Sequence, residues 1–154
     1  MTRSAYLRIE LHGDSFDPYS MLARWQQELI DQQHGPSAAE SVFVGKVRAK
    51  SIGGAALTSL ELEHYPGMTE RQLRELAISC CERHDVLSCL IAHRIGAVSP
   101  GEAIVLVSIG ADHRGPAQRC CQELLEALKH EAPFWKREWR ADGSSSWLTG
   151  NTPF

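Results

Sequence analysis

The sequence has no apolar run long enough to cross a membrane as a helix, and its first residues lack the charged-then-apolar pattern of a secretory signal. A cytoplasmic protein is therefore expected. There is no basic excess either: 16 Lys and Arg stand against 19 Asp and Glu, for a net charge of −3. Without a positive field to draw a polyanion, neither nucleic acid nor a membrane surface is an expected partner. No two cysteines are spaced as Cys-x-x-Cys. The five present, Cys80, Cys81, Cys89, Cys120 and Cys121, are odd in number and include two pairs of sequence neighbours. That pattern reads neither as a disulfide framework nor as a zinc motif. Cys80/Cys81 and Cys120/Cys121 fall on the apolar stripes of two expected helices, so the cysteines read as reduced core residues acting as small hydrophobes.

What is present is an ordinary globular composition, with 43% hydrophobic and 23% charged residues in 154. This is near the size of one domain and long enough for a core. Residues 1–150 are expected to form that single domain and 151–154 a loose tail. Alternation of Leu7, Ile9 and Leu11 with Arg8 and Glu10 predicts a half-buried strand over 6–11. Asp17 followed by Pro18 reads as a helix cap with proline in the first turn, and Met21, Leu22, Trp25 and Leu29 carry that helix to about Asp31. A strand over 41–48 follows, with Val42, Val44, Lys46 and Arg48 on one face, so its far end turns cationic. Residues 57–64 alternate again and end in His64. Thr69-x-x-Gln72 has the form of a capping box opening a helix through Leu73, Leu76, Ala77, Cys80 and Cys81. Apolar strands are expected over 86–95, ending in His93-Arg94, and over 104–109, the best candidate for a central strand. Pro116 suits the first turn of the next helix, with Gly115 as its cap. His113 and Arg114 then stand just before a helix N-terminus, whose free N–H groups suit phosphate.

The densest chemistry lies at Lys129-His130-Glu131-Ala132-Pro133-Phe134-Trp135-Lys136-Arg137-Glu138. Proline cannot continue a helix, and it pushes its predecessor out of the helical region. Lys129 should therefore close a helix, and Lys136 should follow on an extended segment after a bend pinned by Phe134 or Trp135. The result is two ammonium groups on one elbow. The helix between Arg114 and Lys129 spans about 22 Å at 1.5 Å per residue, so its two ends cannot grip one small anion within a single subunit. A second copy of the chain, meeting the first across a two-fold axis, could bring opposite ends together. Asp142-Gly143 suggests a hairpin joining the lysine segment to Ser145-Ser146-Trp147.

Several blocks together resemble the catalytic, large subunit of molybdopterin synthase. They are Phe43-Val44-Gly45-Lys46-Val47-Arg48, Leu62-Glu63-His64-Tyr65-Pro66-Gly67-Met68-Thr69-Glu70, His93-Arg94-Ile95-Gly96, Pro100-Gly101-Glu102 and Ala132-Pro133-Phe134-Trp135-Lys136-Arg137-Glu138. The resemblance implies an α+β fold, a mixed or antiparallel sheet with packed helices and a hammerhead-like β subdomain. It implies a sulfurtransferase of molybdenum cofactor biosynthesis, working as a homodimer within a heterotetramer. Its partner would be a small ubiquitin-like sulfur carrier, whose C-terminal Gly-Gly thiocarboxylate gives two sulfurs in turn to cyclic pyranopterin monophosphate. No metal or organic cofactor is implied. Carried over by position, Lys129 and Lys136 are the catalytic candidates. Lys46, Val47, Arg48, His113, Arg114, Lys129, Lys136, Arg137 and Glu138 are the substrate-binding candidates. A lysine crowded by other cations should have a lowered pKa and could act as a general base. The chain departs from the family at His84, where an aromatic residue is usual, and after Trp139; Arg140 is the candidate for an arginine reaching a neighbouring site. Two other readings compete: a non-catalytic adaptor that binds the carrier, and a cysteine sulfurtransferase using Cys120 or Cys121.

Overall fold

A computed structural model describes residues 4–148. Two sheets organise them. The first is four-stranded in the order β1 (Tyr6–His12), β4 (Ser88–Arg94), β6 (Ala103–Ala111), β2 (Ala39–Lys46). The β1–β4 pair is parallel, and the β4–β6 and β6–β2 pairs are antiparallel, so the sheet is mixed. The continuous apolar runs of β4 and β6 put both strands inside the sheet, where every residue of β4 is buried. A strand covered on both faces has no use for polar alternation.

Helix α1 (Pro18–Asp31) covers one face, seating Met21, Trp25 and Leu29 on Leu90, Ala92 and Leu106. Helices α2 (Met68–His84) and α3 (Arg114–His130) cover the other, packing Leu73, Ala77, Cys80, Cys120 and Leu124 against Cys89, Ile91, Val107 and Ile109. Removing a buried side chain such as Leu124, which is fully enclosed, costs about 2–5 kcal/mol. The second sheet is antiparallel, in the order β5 (Gly96–Val98), β3 (Leu57–His64), β7 (Phe134–Arg140), β8 (Ser145–Trp147). A small core of Val47, Leu62 and Val98, flanked by Leu60, Ile104 and Phe134, fastens it to the first. The expected α+β class, mixed sheet and appended β subdomain are all present.

Local signals differ in how well they hold. Asp17 caps α1 through its carboxylate, which accepts from the Tyr19 N–H at 2.9 Å, with Pro18 opening the helix. The Asp142-Gly143 turn joins β7 to β8, as expected. The Thr69–Gln72 capping box does not form. Helix α2 starts earlier, with Gly67 as cap at φ 84, and the Glu70 carboxylate accepts from the Gly67 N–H at 2.6 Å. Thr69, fully buried, instead accepts from the Tyr65 N–H at 3.0 Å. Gly115 is not the cap of α3. That role falls to His113, in extended conformation, so Pro116 lies in the third helical position, where an N–H has no intrahelical partner to lose. Strand β2 stops at Lys46 rather than Arg48, because its partner β6 begins at Ala103, which Lys46 already faces. The register also shifts between Gly45 and Lys46, where β6 carries one extra residue, Ile104. The tail at 151–154 lies outside the described residues.

Candidate functional site

Pro133 ends α3 and sends the chain into β7, which places Lys129 on the last helical turn and Lys136 on the strand. Phe134 pins the elbow: its ring stacks on His93 with centres 4.1 Å apart and 10° between planes. Trp135 turns outward against Tyr65, edge to face at 4.9 Å. The seam between the two sheets is left open as a pocket of about 390 Å³. Lys46, Val47 and Arg48 enter it from the end of β2, helped by the register shift. Lys129 enters from α3, and Lys136, Glu138 and Arg140 from alternate positions of β7. The loop at Ser51, Ile52 and Gly53 forms one wall, and Leu57, Leu60, Leu125, Leu128 and Leu148 supply an apolar lining. Five cations and one carboxylate therefore border one small, largely apolar space. Such a space attracts an extended anionic ligand whose uncharged part lies on leucine and whose charge meets ammonium and guanidinium groups.

Lys136 is the chemically distinctive member. Burial, and then the nearby Lys129 charge, hold its amine below the ordinary lysine value. An amine of lowered pKa keeps a larger neutral fraction able to accept a proton. His93 also lines the pocket. Its Nδ1 lies 2.8 Å from the Arg94 carbonyl oxygen, which can only accept, so Nδ1 carries the proton and Nε2 the lone pair. Burial pushes its pKa down to about 4, so the ring is neutral at physiological pH. Arg94, itself buried, holds the adjoining turn by donating to the carbonyls of Ala97 at 3.0 Å and Gly13 at 3.3 Å.

Three sequence candidates stand elsewhere. Arg137 faces away from Lys136 and Glu138, as a two-residue period requires. Its guanidinium lies 4.3 Å from the Trp139 ring centre and 5.3 Å from that of Trp147, and its Nε donates to Ser145 Oγ at 2.9 Å. His113 and Arg114 are exposed at the opposite end of α3 from Lys129 and do not border the pocket. The cysteine route fails on burial. Cys120 is fully enclosed, and although the Cys80 thiol pulls its pKa down, the Cys81 thiol and burial together push it up to about 12. Burial likewise raises Cys121. Neither cysteine borders the lysine pocket. Sequence reasoning missed His93 as a pocket residue and Arg140 as a member of this subunit's own pocket. The β7 alternation could have found Arg140; nothing local pointed to His93.

The MoaE protein family model matches residues 15–131. The chain is similar to the molybdopterin synthase catalytic subunit of Ralstonia nicotianae, 42% identical over 106 residues, covering 69% of this chain and 60% of the relative's length. It is similar over more of its length to the molybdopterin synthase catalytic subunit of Pasteurella multocida, 39% identical over 137 residues, 89% of this chain and 87% of that one. Among solved structures it resembles the molybdopterin biosynthesis MoaE protein of Burkholderia ambifaria, with a TM-score of 0.71, 36% identity and coverage of 96% and 91% of the two chains.

Proposed function

The chain belongs to the MoaE protein family, and from that premise we propose that it is the catalytic subunit of a molybdopterin synthase, moving sulfur from a carrier's C-terminal Gly-Gly thiocarboxylate onto cyclic pyranopterin monophosphate. The observation that carries this reading is the convergence of Lys46, Arg48, Lys129 and Lys136, which come from three separate segments, on one pocket. A substrate phosphate and a thiocarboxylate are two anions. Bringing them together in an apolar space needs several cations held in advance, so that little reorganisation accompanies reaction.

The carrier tail is a narrow, extended peptide, and its glycines let it lie against the leucine walls. Its sulfur forms a bond to a pterin side-chain carbon as that carbon's bond to oxygen breaks, the oxygen departing on the phosphate in one round and, once protonated, as water in the other. A thioester then joins carrier and pterin. Water then cleaves the acyl carbon–sulfur bond, so that the carrier leaves as a carboxylate and the sulfur stays on the pterin. Lys129 steadies the thiocarboxylate and then the charge that builds on the acyl oxygen. Lys136, through its neutral fraction, takes the proton released by the attacking water. Lys46 and Arg48 hold the pterin's anionic end. Two rounds with fresh carrier complete the dithiolene. Every step uses side chains of the protein and none requires a metal or organic cofactor.

The enzyme works as a homodimer carrying two small subunits. His113 and Arg114 contribute to the pocket of the opposite copy, which resolves their distance from Lys129. No described helix is long and apolar enough to cross a membrane, and the proposed site of action is the cytoplasm. The direct test mixes purified enzyme, thiocarboxylated carrier and precursor, and follows dithiolene formation. The reading predicts product with the native chain. Carrier binding without product would make it an adaptor.

A further inference from the structure

We propose that the seam between α2 and α3, on the far side of the first sheet from α1, is a binding site for a thiophilic divalent transition metal, with zinc the best match. Cys80, His84 and Glu123 each place a ligand atom within 4.8 Å of the other two. Cys120 Sγ stands 3.8 Å from Cys80 Sγ but is outside that group, so three side chains face the ion and a water completes the tetrahedron.

The fold builds this set from two helices. Cys80 and His84 are four residues apart and share a face of α2, and Glu123 meets them from α3. The packing of α2 on α3 brings the two sides together. No linear motif announces the site, because His84 and Glu123 are 39 residues apart. The donors, a sulfur, an imidazole and a carboxylate with water as the fourth, match zinc in both softness and number.

Access and charge are also provided for. Cys80 is buried, 1% exposed, whereas the side chains of His84 and Glu123 are 18% and 38% exposed and form a rim open to solvent. His84 Nε2 faces the Glu123 carboxylate directly, and Arg83 Nε donates to the other Glu123 oxygen at 2.8 Å. An entering ion takes the place of the His84–Glu123 contact, and Arg83 remains as the outer partner that orients the carboxylate. Cys80 gives up its thiol proton to solvent. One thiolate and one carboxylate neutralise the divalent ion, and Arg83 stays outside the ligand shell. The ion would tie α2 to α3 and so brace the helix that ends in Lys129. None of the three ligands borders the lysine pocket, so the site is separate from the proposed sulfur-transfer chemistry.

The test uses the full chain, kept reduced and stripped of metal, with Co²⁺ and then Zn²⁺ as probes. The proposal predicts one equivalent of Co²⁺ bound with near-ultraviolet thiolate-to-cobalt absorption and the intense visible bands of a four-coordinate ion. Zinc should displace the cobalt and raise Tm by at least about 5 °C at saturating metal. Glu123→Gln and His84→Ala change the partly exposed rim and should stay folded by circular dichroism. Each should weaken binding by more than the roughly 10- to 100-fold expected even of a supporting residue. Cys121→Ser should bind as the native chain does. Absence of the thiolate band, absence of a zinc-dependent Tm rise, or unchanged binding in both rim variants would each overturn the site.

Discussion

The two ends of α3 carry cations of quite different standing. At the C-terminal end, Lys129 faces a pocket that already contains Lys46, Arg48, Lys136 and Arg140. At the N-terminal end, His113 and Arg114 are exposed and outside that pocket. Yet the first pair of ammonium groups and the second pair of side chains look equally suited to an anion when read as sequence. The difference is one of surroundings. A cation with water on all sides contributes little, whereas several around one apolar space have their fields focused, and Lys136, disfavoured by burial and by Lys129, has its pKa lowered as well. Within one subunit only the C-terminal end is a finished site. The N-terminal end becomes one when another surface covers it, which the proposed dimer provides.

The largest expected effect comes from the finished end. Lys129→Ala should lower sulfur transfer by roughly 10²- to 10⁴-fold, the usual range for a group acting on the reacting atoms. Carrier affinity and Tm should change little, because the residue is exposed on the last turn. Calorimetry alongside the turnover assay separates these quantities.

The unfinished end gives the next effect. Arg114→Ala should raise KM for the pterin by about tenfold, as loss of one charge-assisted contact does, with a smaller change in kcat. Mixed with Lys129→Ala, it should regain activity, because a mixed dimer contains one pocket with both residues intact. Failure of the mixture to exceed either variant alone would show that the two ends never meet.

Lys136→Met sharpens the contrast within the pocket. The lysine is disfavoured in its charged form by burial and by Lys129, so methionine should raise Tm by a few degrees while abolishing most activity. A fall in Tm would mean that the buried amine is a stabilising feature. His93 supplies a pH test. Its pKa is about 4 in the fold against an ordinary 6.5. The unfolded chain therefore binds more protons between those values, and stability rises with pH across that window. The contribution is full above pH 6.5, is lost as pH falls through about 4, and amounts to about 3 kcal/mol. Urea titrations from pH 4 to 7 should show that slope in the native chain and a flatter one in His93→Gln. Arg137→Ala should have the smallest effect, less than about twofold on kcat, since Arg137 stacks on Trp139 and Trp147 away from the pocket.

Much of the fold was legible because single-residue physics decided it. Asp17-Pro18 capped a helix, Pro133 ended one, Asp142-Gly143 turned a hairpin, and the apolar run of β6 had to be interior. The misreadings sit where two local solutions were equally good. Glu70 bonding to the Gly67 N–H and Thr69 bonding to Tyr65 defeated the Thr69–Gln72 box, and the choice between them rests on the burial of Thr69 between elements distant in sequence. The shift between Gly45 and Lys46 depends on β6 and not on β2 alone. In the pocket, the lysines were legible through family resemblance and the elbow, and the side assigned to Arg137 was recoverable from alternation. His93 was not, since only the packing of Phe134 across from β4 turns a strand-end histidine into a pocket wall. The Cys80–His84–Glu123 cluster was hidden for the same reason: neither helix carries enough of it to be read alone.

The most direct measurement is a crystal structure of the enzyme bound to a carrier with an intact C-terminal Gly-Gly. The account predicts that the terminal carboxylate lies among Lys46, Lys129 and Lys136, with the glycines against Leu60 and Leu128. A tail ending at His113 and Arg114 of the same subunit, or on the outer face beside Arg137, would contradict it.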